Sequence, residues 1–299
     1  MPLPSRRFGI ELEFSGSYHR PSYYDAERLL HEYFYVRRLP FSAPARYQRS
    51  SGRHWELKPD SSCGLELATP ALSWSQWPQV VEVCKFLKDN QYPVNWDCSV
   101  HVHHEIVGFN SAALRRLFRL WTAVEPIALR CCAAHRTQND FTAPLYRRYS
   151  ASTWEHVVNV SGGSRDLRRW YNQNGRRFTL NLLPFWLQGT AEVRLHHGTW
   201  DAEELRWWVL FTQGVVELST RRLRTTTLRN LYNSGNLESR LEQFTALALR
   251  YAESDELREV INTIPNRMAA YPELNHEYRS TSTVITTPPW LREASLSYV

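Results

Sequence analysis

The chain has 299 residues, a net charge of +6 at pH 7, hydrophobic residues at 42% of its positions and twelve tryptophans. This composition excludes a largely disordered chain, and the absence of any run of about 18 apolar residues disfavours a membrane-spanning protein. The first residues lack the apolar core of a secretion signal and the five cysteines form no CxxC pair, so we expect a reduced, cytoplasmic setting.

The first predicted element is a strand from about Arg7 to Ser15. Because side chains alternate along a strand, Glu11 and Glu13 share one face and apolar residues fill the other. Two carboxylates on one face repel each other, and a bound divalent cation removes that cost. The next stretch, SYHRPSYYDAERLLHEYFYVRR, has apolar residues at helical spacing, which predicts a helix after the strand.

Two short strands are predicted next, in HWELKPDSS and GLELATP. They would bring Lys58, Asp60 and Glu66 near one another across a hairpin or a loop. Ordinary solvated turn chemistry explains Lys58 and Asp60 equally well. Glu66 is the stronger candidate for a functional role because it lies between two leucines in an otherwise apolar strand.

The HVHH sequence lies on the following strand, CSVHVHHE, which comes after an amphipathic helix in WSQWPQVVEVCKFLKDN. There, His101 and His103 share a face, opposite Val100, Val102 and His104. Imidazoles are common zinc ligands, but none of the usual spacings for further ligands is present, so zinc is the weaker interpretation.

Beyond this strand, NSAALRRLFRLWTAVEPIALRCCAAH is the longest helical pattern, and we expect Pro126 to kink or divide it. Arginine-rich loops follow and lead to a strand at about Arg177 to Leu183. Loops of this kind often carry ligands, so Arg136, Arg147 and Arg177 are candidates to hold a carboxylate or phosphate, although ordinary surface arginines would give the same pattern.

The stretch TAEVRLHHGTW predicts another strand, in which Glu192, Arg194 and His196 share one face. Helices are expected in three later stretches: Asp201 to Arg222, about Leu237 to Glu253, and a shorter one after Asp255. We therefore expect one main domain over residues 1–230, followed by a helical extension with an irregular tail over residues 231–299.

The ionisable faces of these strands predict a site for metal and phosphate. Their side chains are Glu11, Glu13, His101, His103 and Glu192, with Arg194 beside them. Carboxylates with an occasional imidazole suit Mg²⁺ or Mn²⁺, and Mg²⁺ often binds together with phosphates. Arginine beside such a site is a common donor to phosphate oxygens.

Five segments occur in an order that resembles the amidoligase family, whose members are related to glutamine synthetase and γ-glutamylcysteine synthetase. They are FGIELEF, GLELATP, SVHVHHE, RRFTLNL and AEVRLHHGT, and the resemblance covers about Phe8 to Arg222. It implies an α+β fold class: a curved, largely antiparallel sheet of the glutamine synthetase catalytic-domain type with helices on its outer face. The concave face is implied to bind ATP together with Mg²⁺ or Mn²⁺.

The resemblance also implies roles for individual residues. The implied metal ligands are Glu11, Glu13, Glu66, His101 and Glu192. The implied nucleotide-binding residues are Lys58, His103 and Arg194, and the implied catalytic residues are Arg194, Glu192 and Arg177. The candidates to hold the acid substrate are Arg136 and Arg147. The family pattern is not complete, because His104 and Glu105 differ from it and His197 stands where asparagine is frequent.

The implied activity is ATP-dependent ligation of a carboxylate to an amine through an acyl phosphate, which gives an amide or isopeptide bond. The two substrates could be small molecules, peptides or proteins. Two alternatives stay open: a carboxylate or guanidino kinase on the same fold, and a non-enzymatic nucleic-acid-binding protein, which the positive charge would suit. Nucleic acid is the disfavoured partner, and no membrane partner is expected.

Overall fold

Seven strands form the sheet in the computed structural model, which describes residues 5–15, 23–44, 51–138, 142–145 and 153–271. The strands are β1 Phe8–Ser15, β2 Phe41–Ser42, β3 Trp55–Asp60, β4 Gly64–Ala68, β5 Ser99–Glu105, β6 Leu180–Asn181 and β7 Thr190–His197. Their order is β2-β3-β4-β1-β5-β7-β6, and every neighbouring pair is antiparallel except β2 and β3. The predicted α+β class and the largely antiparallel sheet are confirmed, while the glutamine synthetase type stays a prediction.

The described ranges contain ten helices. They are α1 Tyr23–Val36, α2 Trp77–Asp89, α3 Ser111–Arg130, α4 Trp154–Val160, α5 Ser164–Asn174, α6 Phe185–Gln188, α7 Ala202–Thr220, α8 Thr225–Tyr232, α9 Leu237–Tyr251 and α10 Asp255–Ala270. Among them, no helix has both the length and the apolar character needed to cross a bilayer.

The apolar face of the sheet packs against the helices and forms the core. In β1, Phe8, Ile10 and Leu12 are buried in the same cluster as Trp121 of α3 and Trp208 of α7. Burying each large apolar side chain stabilises the fold by about 1.5–3 kcal/mol. The alternation of β1 therefore turns its two glutamates to the opposite face, and the core holds them there.

Helix α3 runs unbroken through Pro126. Its first turn is capped by Asn110, whose side-chain oxygen accepts a hydrogen bond from the backbone N–H of Ala113 at 3.0 Å. Proline removes one backbone donor from a helix interior. The prediction that it divides the helix is nevertheless wrong, because the second half of α3 is buried on all sides and tertiary packing keeps it helical.

One extra residue in β7 changes which side chains face the helices. Val102 of β5 pairs with Val193, but Val100 pairs with His196, so three steps along β7 match two steps along β5. A bulge of this kind reverses the alternation beyond it. The prediction that His196 shares a face with Arg194 is therefore wrong, since His196 is buried and its ring packs against α7.

The strand predicted at Arg177 to Leu183 is shorter than expected. Only Leu180 and Asn181 pair with β7. Just beyond them, the side-chain oxygen of Asn181 accepts a hydrogen bond from the backbone N–H of Leu183 at 3.0 Å, which turns the chain towards α6. Three short helices, α4, α6 and α8, lie in stretches where the sequence pattern predicted none.

All five cysteines are free and buried. Burial raises the pKa of Cys84 to about 12 and also raises the pKa of Cys131, because a thiolate is poorly solvated in an apolar interior. These two thiols serve as small apolar side chains of the core.

Candidate active site

The polar face of the sheet carries a band of ionisable side chains on neighbouring strands. The ladder pairs are Lys58 with Glu66, Glu66 with Glu13, Glu11 with His101, and His103 with Glu192. Side chains paired directly across a ladder lie on the same face of the sheet. All of them line one cavity of about 230 Å³, together with Arg194 of β7 and Asn181 of β6.

A first group of possible metal ligands consists of Glu11, His101 and Glu192. One ligand atom from each lies within 4.8 Å of the other two. The Nδ1 atom of His101 is 3.2 Å from Oε2 of Glu11 and 3.7 Å from Oε1 of Glu192. Because the three residues lie on β1, β5 and β7, the sheet itself fixes their spacing.

A second group consists of Glu13, Glu66 and His101, whose ligand atoms also lie within 4.8 Å of one another. The Nε2 atom of His101 is 3.4 Å from Oε1 of Glu13. The amine of Lys58 contacts Glu66 and is 3.8 Å from Oε1 of Glu11, although only 1% of this lysine is exposed. The imidazole of His101 thus lies between two pairs of carboxylates.

The donor set fits a hard divalent cation, since it combines carboxylate oxygens with imidazole. Within the described part of the chain, Nε2 of His103 and Nε of Arg194 are buried without a hydrogen-bond partner. Oε1 of Glu11 lies 3.6 Å from Nε2 of His103. A buried polar atom left unpaired costs about 1–3 kcal/mol, so these positions favour a ligand that supplies the missing partner.

The carboxyl groups differ in how readily they ionise. Burial and the charge of Glu11 raise the pKa of Glu66 to about 8, so its protonated form is favoured at neutral pH. Burial also acts on Glu11, but the charge of His103 and the hydrogen bond to His101 outweigh it and hold the pKa of Glu11 well below its ordinary value. A cation bound among them would offset the repulsion that keeps Glu66 protonated.

Glu192 is held at both of its carboxylate oxygens. Arg194, two residues further along β7, contacts Oε1, and the amide nitrogen of Asn181 donates to Oε2 at 2.7 Å. Burial would raise the pKa of Glu192, but the positive charges of Arg194 and His103 outweigh burial and lower it. An ionised carboxylate with fixed orientation is suited to bind a cation.

The sequence model of a family described as "Putative amidoligase enzyme" matches residues 4–216. The chain belongs to this family. The resemblance inferred from the five segments is therefore confirmed. No curated protein matches the sequence. Among solved structures, the chain is similar to one in the crystal structure of the complex between prokaryotic ubiquitin-like protein Pup and its ligase PafA, with 13% identity and a TM-score of 0.44 over 98% of this chain and 67% of that one.

In this amidoligase-family protein, Arg136 lies at the edge of the cavity but is only 1% exposed. Its Nε donates to the backbone oxygen of Leu195 at 3.2 Å and one terminal nitrogen donates to that of Arg194 at 3.1 Å. Burial lowers the pKa of Arg136 to about 10. Arg136 therefore stabilises the bulged part of β7 through hydrogen bonds to its backbone. Its contact with an acid substrate stays a prediction.

Of the three remaining predicted residues, Arg177 and Asp60 line the cavity and Arg147 is not among the residues that the structure describes. Arg177 is exposed and lines the cavity beside Arg176. Arg147 falls outside the described residues. Asp60 also lines the cavity, but its carboxylate accepts hydrogen bonds from the backbone N–H groups of Ser62 and Cys63, at 2.7 and 3.1 Å, as in an ordinary turn.

Two residues of the site, Ser99 and Asn181, were absent from the sequence-based prediction. Both are buried and bind the carboxylates: Ser99 donates to Glu13, and Asn181 to Glu192. A signal existed for each. Ser99 precedes His101 by two positions on the same strand face, and Asn181 is the asparagine of the RRFTLNL segment.

Proposed function

We propose that this protein is an ATP-dependent ligase that joins a carboxylate to an amine and releases ADP and phosphate. The observation that carries this proposal is the convergence of four glutamates, two histidines, Lys58 and Arg194 on the polar face of the sheet, where they line one cavity in a chain of the amidoligase family. The catalytic domain would span residues 1–230, with residues 231–299 as an extension, on a sheet of the glutamine synthetase type.

In this proposal, the acidic side of the cavity holds Mg²⁺ or Mn²⁺. The ligands are Glu11, Glu13, Glu66, His101 and Glu192. A divalent cation in this position supplies charge neutralisation to the phosphates of ATP as negative charge moves during transfer. Lys58 and His103 lie beside the same carboxylates and would donate to phosphate oxygens.

The first chemical step is attack by an oxygen of the substrate carboxylate on the γ-phosphorus of ATP. The bond from that phosphorus to the β–γ bridging oxygen breaks, ADP leaves, and the acid becomes an acyl phosphate. Arg194 donates to oxygens of the transferred group, and its charge is held in place by Glu192. Arg177, which also lines the cavity, would donate hydrogen bonds to phosphate oxygens.

The second step is attack by an unprotonated amine on the acyl carbon. A C–N bond forms, the bond from carbon to the phosphate-bearing oxygen breaks, and phosphate leaves with the amide as the other product. The amine gives up one proton in this step and the departing phosphate takes up one, so the step balances. Arg136 and Arg147 are the residues proposed to hold the acid, and its identity and that of the amine define the specificity of the enzyme.

The test is ATP turnover by the purified protein with Mg²⁺ or Mn²⁺ against panels of carboxylic acids and amines. We expect ADP and amide in equal amounts, and only when both substrates are present. Hydroxylamine in place of the amine should trap the acyl phosphate as a hydroxamate. Phosphorylated acid that accumulates without consumption of amine would instead identify a kinase. Absence of ATP turnover with every combination of acid and amine would contradict the proposal.

A further inference from the structure

One face of helix α5 presents a row of exposed arginines. We call this surface the arginine row, and its members are Arg165, Arg168 and Arg169 on the helix and Arg176 just beyond the last helical residue. Because a helix turns once every 3.6 residues, the three helical members lie on one side of α5. The opposite side packs into the core, so the row is the side that the helix presents to solvent.

The helix that carries the row is held beside the edge of the sheet. The hydroxyl of Tyr171, on the buried side of α5, donates to the backbone oxygen of Leu180 at 2.7 Å, and Leu180 belongs to β6, the last strand in the sheet order. The guanidinium of Arg168 lies over the ring of Trp186 in α6, 5.9 Å from its centroid. The next residue of α6, Leu187, lines the cavity of the candidate active site.

The row ends at this cavity. Gly175 terminates α5 with a φ of 82°, in the left-handed region that favours glycine. Arg176 and Arg177 follow, and both line the cavity. The backbone oxygen of Arg177 accepts a hydrogen bond from the N–H of Ala143 at 2.9 Å, which fixes the position of this loop. A ligand bound along α5 would therefore reach the cavity over a continuous positively charged surface.

The charge of the row is mostly left without a counter-ion. Residues 164–177 contain five arginines and one aspartate, a net charge of +4 in a chain whose total is +6. The aspartate, Asp166, lies 3.6 Å from Arg169, whereas Arg165, Arg168 and Arg176 form no ion pair or hydrogen bond with any residue that the structure describes. Arginines three or four positions apart repel each other, and Arg165 in the first turn opposes the helix dipole. These arginines therefore do not serve the stability of α5.

A row of uncompensated positive charge fits a polyanion. Single-stranded nucleic acid is usually bound with aromatic side chains on which its bases stack, but the aromatic residues of α5, Trp170 and Tyr171, are buried. An acidic polypeptide needs no such surface, because its carboxylates pair with arginine directly. It also offers the functional group that the proposed ligase activates.

We infer that the acid substrate is a carboxylate of a polypeptide rich in aspartate and glutamate, and that its neighbouring acidic residues bind along the arginine row. Helix α5 has 11 residues and is therefore about 16 Å long, which matches about five residues of an extended peptide. This inference rests on the proposed function, since it names the class of its acid substrate. The binding step can nevertheless be measured without ATP.

The first test measures the affinity for a fluorescent peptide of ten glutamates by anisotropy, without metal or nucleotide. One variant changes the three helical members of the row to glutamine, and Arg176 is kept because it lines the cavity. Losing three exposed ion pairs should weaken binding by about tenfold, or about 1.4 kcal/mol. Changing the same three residues to lysine, which keeps the charge, should leave the affinity within about twofold.

A matched control removes the same three charges elsewhere and should bind the peptide like the natural protein. It is the exposed set Arg224→Gln, Arg229→Gln and Arg250→Gln. An equal loss in this control would overturn the inference, because the peptide would then respond to net charge alone. Tighter binding of a ten-nucleotide single-stranded DNA, with the same dependence on the row, would also overturn it and identify a nucleic-acid surface.

The second test uses the peptide as the acid in the ligase assay. The glutamine variant of the row should raise the KM of the peptide by about tenfold with kcat unchanged, since contacts away from the reacting carboxylate are equal in the ground state and the transition state. The KM of a small monocarboxylic acid should stay the same. Ligation of small acids by a protein that does not bind the peptide would refute only this inference. Binding through the row without any ATP-dependent ligation would refute the ligase and leave the row as a docking surface.

Discussion

Replacing Arg194 by lysine should separate catalysis from nucleotide binding. One terminal nitrogen of Arg194 contacts Glu192, while Nε is buried without a hydrogen-bond partner in the part of the chain that the structure describes. Arginine can therefore pair with Glu192 and still present further donors to a phosphoryl oxygen, whereas lysine is a single charged point. Loss of one preorganised donor should lower turnover by about 10²-fold, or about 2.7 kcal/mol of transition-state stabilisation.

The assay compares kcat for ATP with the apparent dissociation constant of the nucleotide, both at saturating Mg²⁺. Arg194→Lys should lower kcat while nucleotide affinity changes much less, because the lost hydrogen bonds belong to the transferred group. Glu192→Gln should instead weaken metal binding and so raise the metal concentration needed for half-maximal turnover. Arg229→Lys, an exposed position on α8, is the control for a change of arginine to lysine away from the site.

Turnover by Arg194→Lys equal to that of the natural protein would refute the reasoning. Arg194 would then serve only as the structural partner of Glu192, and the donors left on its guanidinium would have no part in phosphoryl transfer. A loss of nucleotide affinity with kcat unchanged would also contradict it, since that result indicates binding that is equal in the ground state and the transition state.

Three further outcomes are expected. Mg²⁺ with ATP should raise the thermal unfolding midpoint, because only the folded chain assembles the site. At a ligand concentration of 100 times Kd the free energy of unfolding increases by about 2.7 kcal/mol, and an unmoved melting curve contradicts this. Asn181→Ala frees one oxygen of Glu192 and should lower Mn²⁺ affinity about tenfold in calorimetry, and an unchanged affinity would show that Asn181 does not orient the carboxylate. Burial lowers the pKa of His104 from 6.5 to about 3, so below pH 6.5 this histidine is protonated in the unfolded chain but not in the folded chain. The free energy of unfolding should therefore fall as the pH drops below 6.5. At 1.36 kcal/mol per pH unit, the free energy of unfolding is lower by about 3 kcal/mol at pH 4. In urea unfolding, His104→Gln should lose that much less than the natural protein, and equal losses would show that His104 does not titrate as described.

The central part of the site was predictable because it depends on strand periodicity alone. Glu11 and Glu13 face away from the core since their neighbours in β1 are apolar and buried, and the same holds for His101 on β5. In the sheet, β1 and β5 are antiparallel neighbours, so the ladder itself places their facing side chains next to each other. Regular local structure therefore carried most of the information.

Other features depend on tertiary contacts that no periodicity reveals. The bulge in β7 moved His196 to the helices, because one extra residue shifts the alternation wherever the partner strand lacks it. Arg136 resembles a loop arginine in sequence, yet it is buried and donates to backbone oxygens of β7. Ser99 shares a strand face with His101 in the sequence, but its hydrogen bonds to Glu13 and His101 exist only in the folded chain.

The burial of all five thiols makes the folded protein well suited to site-specific labelling. Thiol reagents attack the exposed thiolate, so the native cysteines should stay unmodified while the chain is folded. A cysteine placed at Trp96, which is 74% exposed and next to the cavity residue Asp97, would then be the one reactive position. A fluorophore attached there could report ligand entry in a protein that keeps every native cysteine.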